Sequence, residues 1–110
     1  MLLSGIFGNE TAEKTMLYIQ NYGQGYARKM ALTFALPVSQ LQRQLERFER
    51  EGILVSHLIG KTRLYQFNPR YFFKSELSQL LEKALKNLPE SQREKYFTDR
   101  TRPRRKGKPL

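Results

Sequence analysis

At 110 residues the chain has material for one small domain. Twenty Lys and Arg against ten Asp and Glu leave a formal net charge of +10, with no cysteine and a single histidine. These counts exclude a disulfide framework, a thiolate zinc site, a cysteine nucleophile and a multi-histidine metal centre. No apolar run approaches the roughly 20 residues that span a membrane, and the opening MLLSGIF is too short and uncharged for a signal peptide. The composition predicts a soluble, cytoplasmic protein with a polyanionic partner, most simply a nucleic acid.

The charge is unevenly spread. Residues 1–97 carry a net +5, and the last 13 residues, TDRTRPRRKGKPL, carry the other +5. That end holds Arg100, Arg102, Arg104, Arg105, Lys106 and Lys108 beside two prolines and one terminal leucine. It cannot bury enough apolar area to offset its ordering entropy, so it is expected to be a disordered basic arm when free. The chain is therefore divided into a domain at 1–88 and a flexible basic tail at 89–110.

In chain order, Asn9 is the expected N-cap of a first helix, with Ala12, Met16 and Ile19 inward and Tyr22-Gly23 at its end. Residues 25–34 form a second helix, with Ala27, Met30 and Ala31 inward. Leu36-Pro37 makes a turn, since proline can open a helix but not continue one. Residues 38–51 form a third helix, with Leu41, Leu45 and Phe48 at helical spacing and Gly52 as its stop.

The period then changes. Residues 53–59 and 62–67 are β-rich and separated by Gly60-Lys61, a hairpin signal. A fourth helix is predicted over 71–88, with Phe73, Leu77, Leu80, Leu81, Ala84 and Leu88 as its stripe. A further helical turn fits 91–97. The fold class is mainly α with a small β-hairpin. Two helices, a tight turn and a hairpin read as a winged helix-turn-helix, followed by a C-terminal helix and a basic tail.

Three segments resemble the ArsR-type winged-helix regulators. Residues 39–55, SQLQRQLERFEREGILV, are similar to their recognition helix and first wing strand. Residues 60–69, GKTRLYQFNP, are similar to their wing, and FGNET at 7–11 to the entry of their first helix. The resemblance covers roughly residues 5–88. It implies a transcription regulator that binds operator DNA as a homodimer. The metal-sensing members carry cysteines where this chain has none, so fold and DNA binding carry over and metal sensing does not.

In a helix-turn-helix the N-terminal half of the second helix enters the major groove. Gln pairs with adenine and Arg with guanine there. Gln40, Gln42 and Arg43 are therefore the expected base-reading residues. Ser39 and Arg47 are expected on the DNA backbone. On the hairpin, Lys61 and Arg63 are expected over phosphates or the minor groove. The bland alternative stays open: Arg43, Arg47 and Arg50 alternate with Glu46, Glu49 and Glu51, as on a solvated helix face with surface ion pairs. Tyr65 and Phe67 are assigned to the core rather than to a stacking platform.

Leu2, Leu3, Ile6 and Phe7 form an apolar cluster before the first cap. With the first and fourth helices they suggest a homodimer, unless they fold back on their own core. His57 has no catalytic companion, and Gly23-Gln24-Gly25 lacks the rest of a phosphate loop, so neither enzyme chemistry nor a cofactor is expected. The leading expectation is a sequence-specific, double-stranded DNA-binding transcription regulator acting as a dimeric repressor. The alternatives are a basic protein that binds nucleic acid by charge alone, and a winged-helix adapter for a protein partner.

Overall fold

The computed structural model describes residues 2–98, which form a mainly helical body with one two-stranded antiparallel sheet. The order is α1 (Ser4–Phe7), α2 (Glu10–Tyr22), α3 (Ala27–Phe34), α4 (Val38–Arg50), β1 (Leu54–Ile59), β2 (Thr62–Phe67), α5 (Lys74–Lys86) and α6 (Glu90–Tyr96). The first to fourth helices expected from the sequence are thus α2 to α5. None of the helices is long and apolar enough to cross a membrane among the described residues.

The central element is α2. Its Ala12, Met16, Leu17 and Ile19 have no exposed surface, and it packs on α1, α4 and α5. Asn9 caps it: the Asn9 side chain accepts from the Ala12 amide at 2.7 Å, satisfying a donor the helix leaves open. From α4 come Leu41, Leu45 and Phe48, and from α5 come Leu81, Ala84 and Leu85. The inward residues expected on the first and third helices are all buried.

A short turn, Ala35 to Pro37, joins α3 to α4. Ala35 takes a left-handed φ of 55°, and the Leu36 amide donates back to the Ala31 carbonyl. At the other end of α4, the Ile53 amide donates to Phe48 O at 2.9 Å and the Gly52 amide to Glu49 O at 3.0 Å. This is a Schellman closure, and it turns the chain directly into β1. The strands pair from Leu54↔Phe67 to Ile59↔Thr62. Asn68 shuts the base of the hairpin by donating its side-chain amide to Gly52 O at 2.9 Å.

Three expectations need correction. The fourth helix begins at Lys74, not 71, so Phe73 lies outside it, and Phe73 and Leu80 are exposed rather than core. Tyr71-Phe72-Phe73 instead forms an edge-to-face ring cluster on the surface. The boundary at residue 88 also moves. Residues Glu90–Tyr96 are helical and held to the body: Tyr22 Oη donates to Tyr96 O at 2.8 Å and Asn21 Nδ2 to Phe97 O at 3.0 Å. Phe97 is buried beside Phe34. The helical turn expected at 91–97 is therefore part of the body, held by the Tyr96 and Phe97 rings. The basic arm from residue 99 onward lies outside the described residues.

The N-terminal apolar cluster also folds differently. It forms α1, with Leu3 and Phe7 buried while Leu2 and Ile6 stay exposed. The buried carboxylate of Glu13 holds this turn, accepting from the Leu3 amide and the Ser4 hydroxyl, both at 2.8 Å. Half of the cluster thus packs on its own core.

Candidate nucleic-acid interface

The first half of α4 presents two kinds of side chain. Leu41 and Leu45 face the core, whereas Ser39, Gln42 and Arg43 are exposed. Their spacing requires this: 38, 39, 42 and 43 fall on one side of a helix whose 41, 45 and 48 face inward. Arg43 has no hydrogen-bond or ion-pair partner among the described residues. Gln42 makes one long contact along its own helix, to Glu46 at 3.3 Å.

The hairpin stands beside this face. Between them lies a groove of about 550 Å³, lined by Gln42 and Val38 of α4, Lys61, Arg63 and Tyr65 of the hairpin, and Tyr26 and Arg28 at the start of α3. Three cations therefore share its walls. Arg63 is braced: its Nη1 donates to Ser56 Oγ at 3.0 Å, and Ser56 donates to Glu49 Oε2 of α4 at 2.7 Å. The relay ties the hairpin to α4 and leaves the other guanidinium nitrogens of Arg63 available. Lys61 at the turn is exposed with no partner among the described residues.

One glycine sets the spacing of these elements. Gly25 exchanges two backbone hydrogen bonds with Tyr65, at 2.9 and 2.8 Å, so the chain two residues before α3 pairs with β2 as an isolated antiparallel bridge. A Cβ at Gly25 would stand 2.9 Å from Met30 Sδ and 3.0 Å from the Tyr18 ring. The start of α3, with Tyr26 and Arg28, is thereby fixed to the hairpin.

Gln42, Lys61 and Arg63 are brought to one groove, and Ser39 and Arg43 stand on the adjoining surface of α4. Gln40 and Arg47 are directed elsewhere. Gln40 is half-buried and accepts from Thr11 Oγ1 of α2 at 3.3 Å. Arg47, expected on a DNA backbone, is committed to the protein. Its Nη2 donates to Phe7 O at 2.8 Å and its Nη1 to the buried Gln44 Oε1 at 2.9 Å, while the guanidinium lies over the Phe48 ring at 4.9 Å. It is a peg between α4 and the C-terminal end of α1, where helix carbonyls lack partners. Arg28 and Tyr26 were missed because they precede the turn and reach the groove only through the Gly25–Tyr65 bridge. No local pattern signals that pairing.

Burial raises the Tyr65 phenol above the ordinary tyrosine value; Glu49 and Glu46 add to the shift and Arg63 opposes it. The folded state therefore holds this proton more tightly. The stabilisation is complete below about pH 10 and is lost as pH rises from there through the raised folded value. Urea midpoints between about pH 9 and about pH 11 should fall more steeply for the wild type than for Tyr65→Phe.

No family model matches the chain, and no solved structure matches it. Among curated proteins it is similar to eukaryotic translation initiation factor 3 subunit K of Nematostella vectensis, 37% identical over 76 residues. The match covers 54% of this chain and 35% of that relative, so the chain spans about a third of its length.

Proposed function

We propose that this chain is a winged helix-turn-helix protein that binds double-stranded DNA. In this reading α3 and α4 are the helix-turn-helix pair, α4 reads the major groove, and the β1–β2 hairpin is the wing. One observation carries it: the exposed face of α4 and the cationic hairpin border a single groove with Arg28. Arg43 and Gln42 read bases, Ser39 contacts phosphate, and Lys61, Arg63 and Arg28 track the backbone. Leu2 and Ile6, exposed on a turn fixed to the body, support a homodimer formed through the N-terminal segment. Two copies would set their α4 helices about 34 Å apart, one turn of DNA. Such a dimer would repress by occupying a promoter.

Selection from a random duplex pool at about 0.15 M salt tests this. Enrichment of a two-fold motif is expected, and recovery without a motif would leave only charge-driven binding. Arg43→Ala should cost ~1–3 kcal/mol on the enriched site, about 5- to 150-fold in Kd, and relax the preference at one base pair. Light scattering at micromolar concentration should give a dimer mass, lost in Ile6→Asp.

A second reading, a protein-interaction adapter, rests on the ring cluster at Tyr71–Phe73, in which Phe72 is 87% exposed. The partial similarity to a translation factor subunit favours the same reading. It predicts no retained duplex in the selection.

A further inference from the structure

The free end of the hairpin carries two large apolar side chains in water. Leu58 is 59% exposed and Ile59 is 54% exposed. Consecutive strand residues point to opposite faces, so the two bracket the tip from both sides. A hairpin protected only against edge pairing would carry charge or proline at these positions. The tip is also stiff. Ile59 pairs with Thr62 across the two-residue loop Gly60-Lys61, and Gly60 has φ +63°, as the first central residue of a type II′ turn requires. Leu58 pairs with Arg63, which Ser56 and Glu49 brace against α4.

A rigid apolar tip beside Lys61 and Arg63 matches a target that is anionic outside and apolar within. A DNA duplex has this order, with phosphates along the groove edges and base planes between them. We infer that the hairpin tip is a wedge: Leu58 and Ile59 enter the minor groove beside the duplex held by α4, part-unstack one base step and kink the DNA. Lys61 and Arg63 hold the phosphates on either side of the step. Leucine and isoleucine are among the side chains that unstack steps in this way, and pyrimidine–purine steps yield most readily. The inference rests on the duplex-binding reading and adds the shape of the bound DNA to it.

The test uses the full chain and the duplex enriched by selection, about 30 base pairs long. It carries a donor and an acceptor dye at its ends and 2-aminopurine at its pyrimidine–purine steps. Wild type should shorten the end-to-end distance as a kink of about 20–90° does, and brighten one 2-aminopurine. Leu58→Ser with Ile59→Ser should leave the bound duplex straight and the fluorophore quenched. It should keep the salt dependence of binding, because the phosphate contacts remain. Both residues are exposed, so the double variant should keep the wild-type circular dichroism and melting temperature. A straight duplex under bound wild type overturns the wedge and leaves duplex binding standing, as does an undiminished kink under the double variant. Failure of wild type to retain any duplex overturns both.

Discussion

Gly25→Val should be among the most destabilising single substitutions in the protein. The added Cβ would meet Met30 Sδ at 2.9 Å and two Tyr18 ring atoms at 3.0 Å. The thioether can swing aside, but the ring cannot. Tyr18 packs against Tyr22 with centroids 4.6 Å apart and against Phe34 at 5.9 Å. The backbone of Gly25 cannot withdraw either, because both its polar groups are bonded to Tyr65. Overpacking of this kind costs about 3 kcal/mol, a large share of the ~5–15 kcal/mol that holds a domain together. The melting temperature should fall by roughly 12–24 °C. In hydrogen exchange the Tyr65 amide should lose protection before the core of α2 does, since the bridge yields first. If the two lose protection together, Gly25 does not hold the hairpin locally.

Arg47→Ala should separate stability from DNA binding. The substitution leaves Phe7 O and the buried Gln44 Oε1 without a donor and removes a cation from the Phe48 ring. Unsatisfied buried acceptors cost ~1–3 kcal/mol and the ring contact about 0.5–1 kcal/mol more. A loss of about 2 kcal/mol is expected, read as a lower urea midpoint with an unchanged slope. Arg47→Met keeps the stem packing and loses the donors, so it should recover part of the loss. Neither variant should change the slope of log K against log salt. Lys61→Ala, by contrast, should reduce that slope by about 1, as loss of a phosphate contact does. A slope change for Arg47→Ala would return this residue to the DNA backbone.

The contrast between Arg43 and Arg47 shows how far local pattern reaches. The two are one helical turn apart, and the sequence places both on DNA, Arg43 at a base and Arg47 at the backbone. Their difference comes from α1, a four-residue helix with no capping side-chain bond. That turn exists because Glu13, nine and ten residues away, takes its open donors. A helix this short has no intrinsic stability and leaves no periodic signal. The helical turn expected at 91–97 is present, but its attachment to the body was hidden for a related reason. α5 ends at Lys86, two residues short of the expected 88, and the charged run after Pro89 hides Tyr96 and Phe97, whose packing depends on the Phe34 surface of α3.

What the amino-acid sequence alone determined is what local energetics decide. The helix faces follow from a period of 3.6, the cap at Asn9 from an oxygen placed before open amides, and the hairpin from two β-rich runs around a glycine. Exposure of Ser39, Gln42 and Arg43 follows from the same period. Tertiary structure alone decided which cations meet at the groove, which arginine is committed to the core, and that Gly25 joins the helices to the hairpin. Each of these depends on contacts between residues far apart in the chain, where direction and distance are set by packing of the whole core rather than by neighbours in sequence.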